Sequence, residues 1–502
     1  VDELTDRLDE RRADFLAPGL PVATGRRQRP GVHLGSSVPA FEEGAGMADG
    51  HMSDMEAMMW NLERDPWLDP NGGGVTVYDR PVDLDHFRRC IKQAVAEVPR
   101  LRERVAPGLG RLSTPRWVPD HEFDLDWHVR RIGAPGDGSL RELLDYFTPW
   151  LQDSYDRSRP LWMYVVVDGL ADGRGAILSK IHHTVGDGES LVKLSLAYTS
   201  SKRTAPPPPD VDLDAIIDAE PTEREDLVSN ARDAIGQGLK WQANLGRRAW
   251  RSLTGPGGLG RAGSEAADLL RTAEEQLHPA GSDLWRNRSR RRYAEAFSLS
   301  FETVHDAAHE LGGTINDFFL VGAVEAGVRY HEQLGSTPEK FHSTLVVNTR
   351  RGGDDGANAF SPVPIEVAAR PMPLERRFRE VHDLVRAKRD EIHGAGPLAT
   401  MAPVMNLLPL PLMTGLARDQ AGHIDFATSN LPGFKDKTFV GGAKTLHYYP
   451  FGPVAGTAFN LTMMSTHRVL DLGVNIDPAA VTEPELLVSH LQAAYADLLA
   501  AG

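Results

Sequence analysis

Proton transfer is the chemistry written most plainly into this chain. His182-His183-Thr184-Val185-Gly186-Asp187-Gly188 closes a strand-like stretch and leads into the helix-like Glu189-Ser190-Leu191-Val192-Lys193-Leu194. The C-terminal end of a strand is a common seat for reactive groups in α/β proteins. Neighbouring strand residues point to opposite faces, so His182 and His183 divide the work: one faces a cleft and the other packs. An imidazole with a reference pKa of about 6.5 is largely neutral at pH 7 and can accept a proton. The one that faces the cleft is a candidate general base, a role typically worth about 10²–10⁴ in rate. Gly186 and Gly188 permit the positive φ of a sharp turn, which would bring Asp187 back beneath the strand end. Its carboxylate either orients a histidine ring or pairs with an arginine that braces the loop, and the sequence leaves both open.

Other chemistries fit less well. Two adjacent histidines that face apart make a poor metal pair. His305 and His309 do stand at metal-ligand spacing on a helix, but Asp306 occupies the place of a zincin's glutamate and no third ligand is near, so no metal site is expected. A Gly-x-Ser-x-Gly elbow is absent, which argues against a serine hydrolase. A loop merely rich in His, Asp and Gly would explain an isolated His-His pair better than it explains the full pattern.

The elements that must position these groups alternate between strand and helix. Ser53, with Glu56 three residues on, predicts a capped helix carrying Ala57, Met58, Trp60 and Leu62. Gly74 to Tyr78 reads as a strand, and Asp83 caps an amphipathic helix through Leu84, Phe87, Ile91, Val95 and Val98. Trp162 to Val167 is an apolar run suited to a strand buried on both sides, and Ala176 to Ile181 is a second strand. Pro206 to Pro209 form a stiff extended spacer. Glu223 to Leu253 has helical spacing. From Ala294 a second alternation begins, with Thr314-Ile315-Asn316-Asp317 opening a helix and strands at 343–347, 425–430 and 459–464. The organisation expected is a mobile tail over 1–47, an N-terminal domain over 48–200, linker and connecting helices over 201–290, and a C-terminal domain over 291–502. The fold class is mixed α/β (α+β).

Bulk properties narrow the partners. With 502 residues the chain is too long for one ordinary core, and a formal charge of −15 argues against a nucleic-acid binder. Its single cysteine, Cys90, lies in a helical pattern as a small core residue, which suits a reducing cytoplasm. The opening residues are charged and lack the apolar run of a secretory leader. Pro397, Pro403, Pro409 and Pro411 break the uncharged stretch from 394 to 417, so no membrane-spanning helix is expected there.

The run from His182 to Gly188 matches the HHxxxDG signature of the CoA-dependent acyltransferase superfamily. Further blocks resemble those of the bacterial wax ester synthase/diacylglycerol acyltransferases. They are Met52-Ser53-Asp54-Met55-Glu56, Phe123-Asp124-Leu125-Asp126-Trp127-His128-Val129-Arg130, Asp156-Arg157-Ser158-Arg159-Pro160-Leu161-Trp162, Asn316-Asp317, and Ser429-Asn430-Leu431-Pro432-Gly433. They occur in order from about residue 50 to the end. Asp54, Met163 and Glu189 depart from the pattern, and Glu189 sets an extra negative charge beside the motif.

The resemblance implies two chloramphenicol-acetyltransferase-like sandwich domains with a tunnel between them. It implies transfer of a long-chain acyl group from acyl-CoA, a co-substrate with no further cofactor, to diacylglycerol or a long-chain alcohol. His183 would deprotonate the acceptor hydroxyl, which attacks the thioester directly without an acyl-enzyme. His182 and Asp187 would support the site's shape, with Gly188 beside the substrate. Asn316 would sit near the reaction centre, its plainer role being a helix N-cap. Ser429 and Asn430 would line the CoA side, or else form a structural turn. Trp162 is a substrate-side candidate for which packing is the stronger expectation. Such substrates imply a cytoplasmic protein, monomer or homodimer, that meets a membrane or lipid-droplet surface. Lys240-Trp241 with Arg247 to Arg251, or the proline-broken 394–417, would make that contact. Two alternatives remain: a stand-alone condensation-type acyltransferase with another lipid or secondary-metabolite acceptor, and a catalytically silent acyl-binding relative.

Overall fold

The computed structural model describes residues 50–108, 114–186, 194–220, 281–348, 360–391, 402, 405–406 and 408–502. The expected helix at 223–253 and the candidate surface segment 240–251 lie outside the described residues, as do Asp187, Gly188 and Glu189.

Alternating side chains explain the first sheet. Its strands run in the order β11 (Phe439–Val440), β12 (Ala443–Phe451), β1 (Asn71–Tyr78), β6 (Gly175–His182), β5 (Trp162–Asp168) and β4 (Val129–Gly133). In β5, Tyr164 and Val166 join one core with Ile177 and Ile181 of β6, while Val165 and Val167 join another with Ala176 and Leu178. Helix α2 (Leu84–Glu97) covers the first face through Phe87, Ile91 and Val95, and α3 (Leu140–Gln152) covers the second through Leu143, Leu144 and Phe147. A strand covered on both faces must be apolar throughout, which is the pattern read at 162–167.

The expected caps are present. Ser53 and Glu56 form a reciprocal capping box at the start of α1 (Asp54–Leu62), with bonds of 3.3 and 2.7 Å. Asp83 accepts from the His86 amide at the start of α2. The proline run leads to a short helix, Leu213–Asp218, whose Ile217 packs into the first half. A 2.7 Å ion pair from Glu220 to Arg102 fastens this return.

The second sheet has the order β7 (Tyr293–Ser300), β14 (Val469–Ile476), β13 (Phe459–Thr466), β10 (Phe426–Phe434), β8 (Lys340–Asn348) and β9 (Phe360–Ala368). Along the chain α4 (Phe301–Glu310) precedes α5 (Ile315–Gln333), followed by α6 (Leu374–Glu391), α7 (Leu410–Gly422) and α8 (Pro484–Ala501). Helix α5 is buried along nearly its whole length, and its core includes residues of α6, α8 and the sheet. The mixed α/β class is therefore borne out.

The first sheet is not built from the first half alone. Strand β12 pairs with β1 in antiparallel register, with Val75 opposite Tyr449. It also crosses the second sheet so closely that a Cβ on Gly473 would lie 1.9 Å from the Pro450 carbonyl oxygen. Across the same junction the Tyr448 amide donates to Asp471, and Asn475 Nδ2 donates to the Gly452 carbonyl. One strand thereby stitches the two sheets together.

Candidate active site

His182 and His183 lie at the end of β6, and their environments differ as the alternation requires. His182 is fully buried, and the rings of Trp60 and Tyr155 approach it edge-on at 6.4 and 5.9 Å. Its Nδ1 accepts from the Thr184 amide at 3.0 Å and lies 2.7 Å from the Thr184 hydroxyl. A nitrogen that accepts from a backbone N–H carries no proton, so in the neutral ring the proton sits on Nε2. Burial, and then the charges of His183 and Arg157, hold its pKa well below the usual imidazole range, so the ring stays neutral. His183 is only half-buried.

The strand beside them makes room. Asn71 to Gly74 of β1 run antiparallel to Ser179 to His182, with Gly72 opposite Ile181. A Cβ on Gly72 would stand 3.1 Å from His183 Cε1, so the missing side chain is the space the ring occupies. Asn71 points the other way, into a cavity of about 20 Å³ that it lines with Asp69, Phe147, Arg292 and Asn475. That space suits a single water rather than a substrate. Asn71 Oδ1 is buried without a protein partner among the described residues, which fits such a water.

Buried charge gathers under the strand end. Glu63 follows directly after α1, and its Oε2 lies 3.0 Å from the Arg157 guanidinium and 3.7 Å from His182 Nε2. Arg157 in turn stacks 3.4 Å over the Trp60 ring and donates to the Trp60 carbonyl. Lys180 shares the His182 face of β6 and donates to the carbonyls of Trp150 and Asp153. Burial pushes its pKa down to about 8 against the pull of Asp153, Asp69 and Glu63. Burial likewise raises Glu63, which Arg157 partly offsets, and raises Asp69. Of these groups, only Arg157 falls within a block that the sequence brought forward.

The matches with known proteins decide the family. The model of the wax ester synthase/diacylglycerol acyltransferase catalytic domain matches residues 52–319, and that of the family's C-terminal domain matches 357–499. The chain belongs to the wax ester synthase/diacylglycerol acyltransferase family. It is accordingly an acyltransferase. A Mycobacterium tuberculosis protein bearing the name diacylglycerol O-acyltransferase is 31% identical over 89% of this chain and 91% of its own length. Among solved structures, the wax ester synthase/diacylglycerol acyltransferase of Marinobacter aquaeolei superposes with a TM-score of 0.61 at 20% identity. It covers 89% of this chain and 98% of that one. The starter condensation domain of rhizomide synthetase, in complex with C8-CoA, shares the fold with a TM-score of 0.53 at 15% identity, covering 90% and 94%.

The family's other blocks lie at several places in the fold. Trp162 is 1% exposed, stacks on His128 at 4.3 Å and donates from Nε1 to the Leu101 carbonyl. Phe123 also stacks on His128 at 5.0 Å and lies 6.3 Å from Trp162, and His128 Nδ1 lies 2.8 Å from the Trp162 carbonyl. The Phe123–Val129 and Pro160–Trp162 blocks thus form one packed stack, with Trp162 a core residue, the packing role expected of it. Asn316 is not an N-cap. Thr314 caps α5, and Asp317 completes a capping box while accepting from His382 at 2.9 Å. Asn316 stands in the first helical turn, half-buried. Ser429 and Asn430 lie in β10 rather than in a turn. Among the described residues, β10 pairs with β8 from Phe426 to Thr428. His305 packs on Phe301 and bonds Asp306, while His309 is exposed. Cys90 is a buried core residue.

Proposed function

We propose that this family member transfers a long-chain acyl group from acyl-CoA to the hydroxyl of diacylglycerol, of a long-chain alcohol, or of both, with His183 as general base. The observation that carries the reading is the division between the histidines: His182 is sealed and neutral, and His183 stands half-buried over the gap left by Gly72. In this reading His183 takes the hydroxyl proton as the acceptor oxygen attacks the thioester carbonyl. The carbon–sulfur bond then breaks, and the same imidazole returns the proton to the departing CoA sulfur, so no acyl-enzyme forms. The same reading assigns His182 and Asp187 to the site's shape, Gly188 and Asn316 to the substrate side, and Ser429 and Asn430 to the CoA side of a tunnel between the halves.

Contact with a lipid surface belongs to the same proposal. No helix among the described residues is long and apolar enough to cross a membrane. Helix α7 does expose Leu412 and Leu416, one turn apart on one face, at 50% and 43%. This supports α7, which begins in the proline-broken stretch, as the element that meets lipid.

The deciding experiment supplies radiolabelled long-chain acyl-CoA with diacylglycerol and then with hexadecanol, and resolves the products. Triacylglycerol or wax ester made by the wild type and lost in His183→Ala is the expected result. Transfer that survives His183→Ala would overturn the mechanism. An absence of either product would move the acceptor to another class.

A further inference from the structure

We propose that Glu63 is a positioning residue: its carboxylate accepts from the Nε2–H of the buried His182 ring and so fixes the turn that carries His183. The proposal rests on the reading of His183 as the base. It starts from the tautomer. His182 Nδ1 is committed as an acceptor to Thr184, which leaves Nε2 as the donor. That nitrogen is buried and makes no hydrogen bond among the described residues. A buried N–H without an acceptor is unfavourable, and Glu63 Oε2 lies 3.7 Å away. The gap is too short for a water in line between them. Closing it by about 0.8 Å gives an ordinary N–H···O bond.

The surroundings hold Glu63 in place. It is tied to Arg157, which is itself stacked on Trp60, and Trp60 meets the same imidazole edge-on. A buried ion pair is weak evidence for stability, because removing two charges from water costs about as much as their attraction returns. Here the pair does something more specific, setting an anion against one nitrogen of a neutral ring. His182 grips the turn in two ways: its ring Nδ1 accepts from the Thr184 amide, and its backbone carbonyl accepts from the Val185 amide at 2.9 Å. His183 lies between those anchors. A flip of the His182 ring would strip Thr184 of its acceptor and displace His183, and small misplacements of reacting groups cost rate steeply.

The test uses the full chain with Glu63→Ala and Glu63→Gln, measuring kcat and the KM for acyl-CoA and for the acceptor. Histidine ring-nitrogen NMR of the wild type and both variants runs alongside. Glu63→Ala is expected to lower kcat by about 10–100-fold while KM moves less than about twofold. Glu63→Gln keeps an acceptor oxygen and is expected to recover most of the loss. In the wild type, His182 should show a neutral ring protonated at Nε2. Wild-type kcat in a folded Glu63→Ala protein would overturn the proposal, and so would a His182 ring protonated at Nδ1. If Glu63→Ala does not fold, the wild-type spectrum still decides: a His182 ring protonated at Nδ1 refutes the proposal. Transfer that persists in His183→Ala refutes the base, and the ring spectrum then tests the Glu63 contact independently.

Discussion

The two six-stranded sheets bury different kinds of side chain. Around the end of β6, the first buries Lys180, His182 and Asn71 together with Glu63 on the adjoining turn. The second surrounds α5 with a continuous apolar core that includes Phe318, Phe319, Phe341, Phe459 and Tyr495. A charge buried against that core, Arg377, is answered directly by Glu325 at 2.8 Å and by the carbonyls of Ala368 and Arg370. Ionisable groups that are desolvated yet loosely paired concentrate at functional sites, whereas close apolar packing supplies stability. In the proposed function the first half therefore holds the base at some expense in stability, and the second half, linked to it through β12, supplies the larger apolar core.

Substitutions on either side should separate the two roles. His183→Ala, in the first half, should lower transfer by about 10²–10⁴-fold with the thermal midpoint nearly unchanged. Phe341→Ala, in the second, should do the reverse: a loss of about 3–5 kcal/mol in denaturant unfolding, with near-normal kcat in the protein that remains folded. Gly473→Ala attacks the link itself, since its Cβ would sit 1.9 Å from the Pro450 oxygen. A destabilisation of about 1–3 kcal/mol or more is expected, read as a lower midpoint. Gly72→Ala probes the same contrast on a smaller scale. Its Cβ would press on His183 Cε1 at 3.1 Å, and kcat should fall by roughly fivefold with little change in unfolding, for about 1 kcal/mol of crowding at the ring.

Acid should affect both halves alike. Burial holds His128, in the first half, and His331, in the second, at pKa values of about 4. Each is neutral when folded, and in the unfolded chain each titrates near the ordinary value of about 6.5. Below that value the unfolded chain binds more protons, so the stabilisation is complete above pH 6.5 and is lost as pH falls toward 4. Denaturant midpoints at pH 7 and pH 4.5 should show this drop, and His331→Phe should reduce it. The smallest expected effect is Leu412→Ser with Leu416→Ser, which should weaken co-sedimentation with lipid vesicles and leave transfer to a detergent-dispersed acceptor intact.

Much of this was legible along the chain because the signals are short in range. The Ser53–Glu56 box, the Asp83 cap, the apolar run at 162–167 and the run from His182 to Gly188 each depend on residues a few positions apart. Alternation along one strand was enough to predict that the two histidines differ, and the motif blocks in their order were enough to indicate the family. Which histidine is sealed was settled elsewhere, by Trp60, Tyr155 and Thr184 closing around His182 and by Gly72 leaving space for His183. Glu63 lies 119 positions from His182, and nothing near it in sequence signals their approach. The crossing of β12 into the first sheet was equally hidden, because strand pairing depends on edges that only the folded chain brings side by side. Local order along the chain was sufficient for the chemistry and for the elements that carry it. Which imidazole stays neutral, which glycine makes room and which distant carboxylate stands beside the ring followed from folding, since desolvation and contact arise only when remote segments pack.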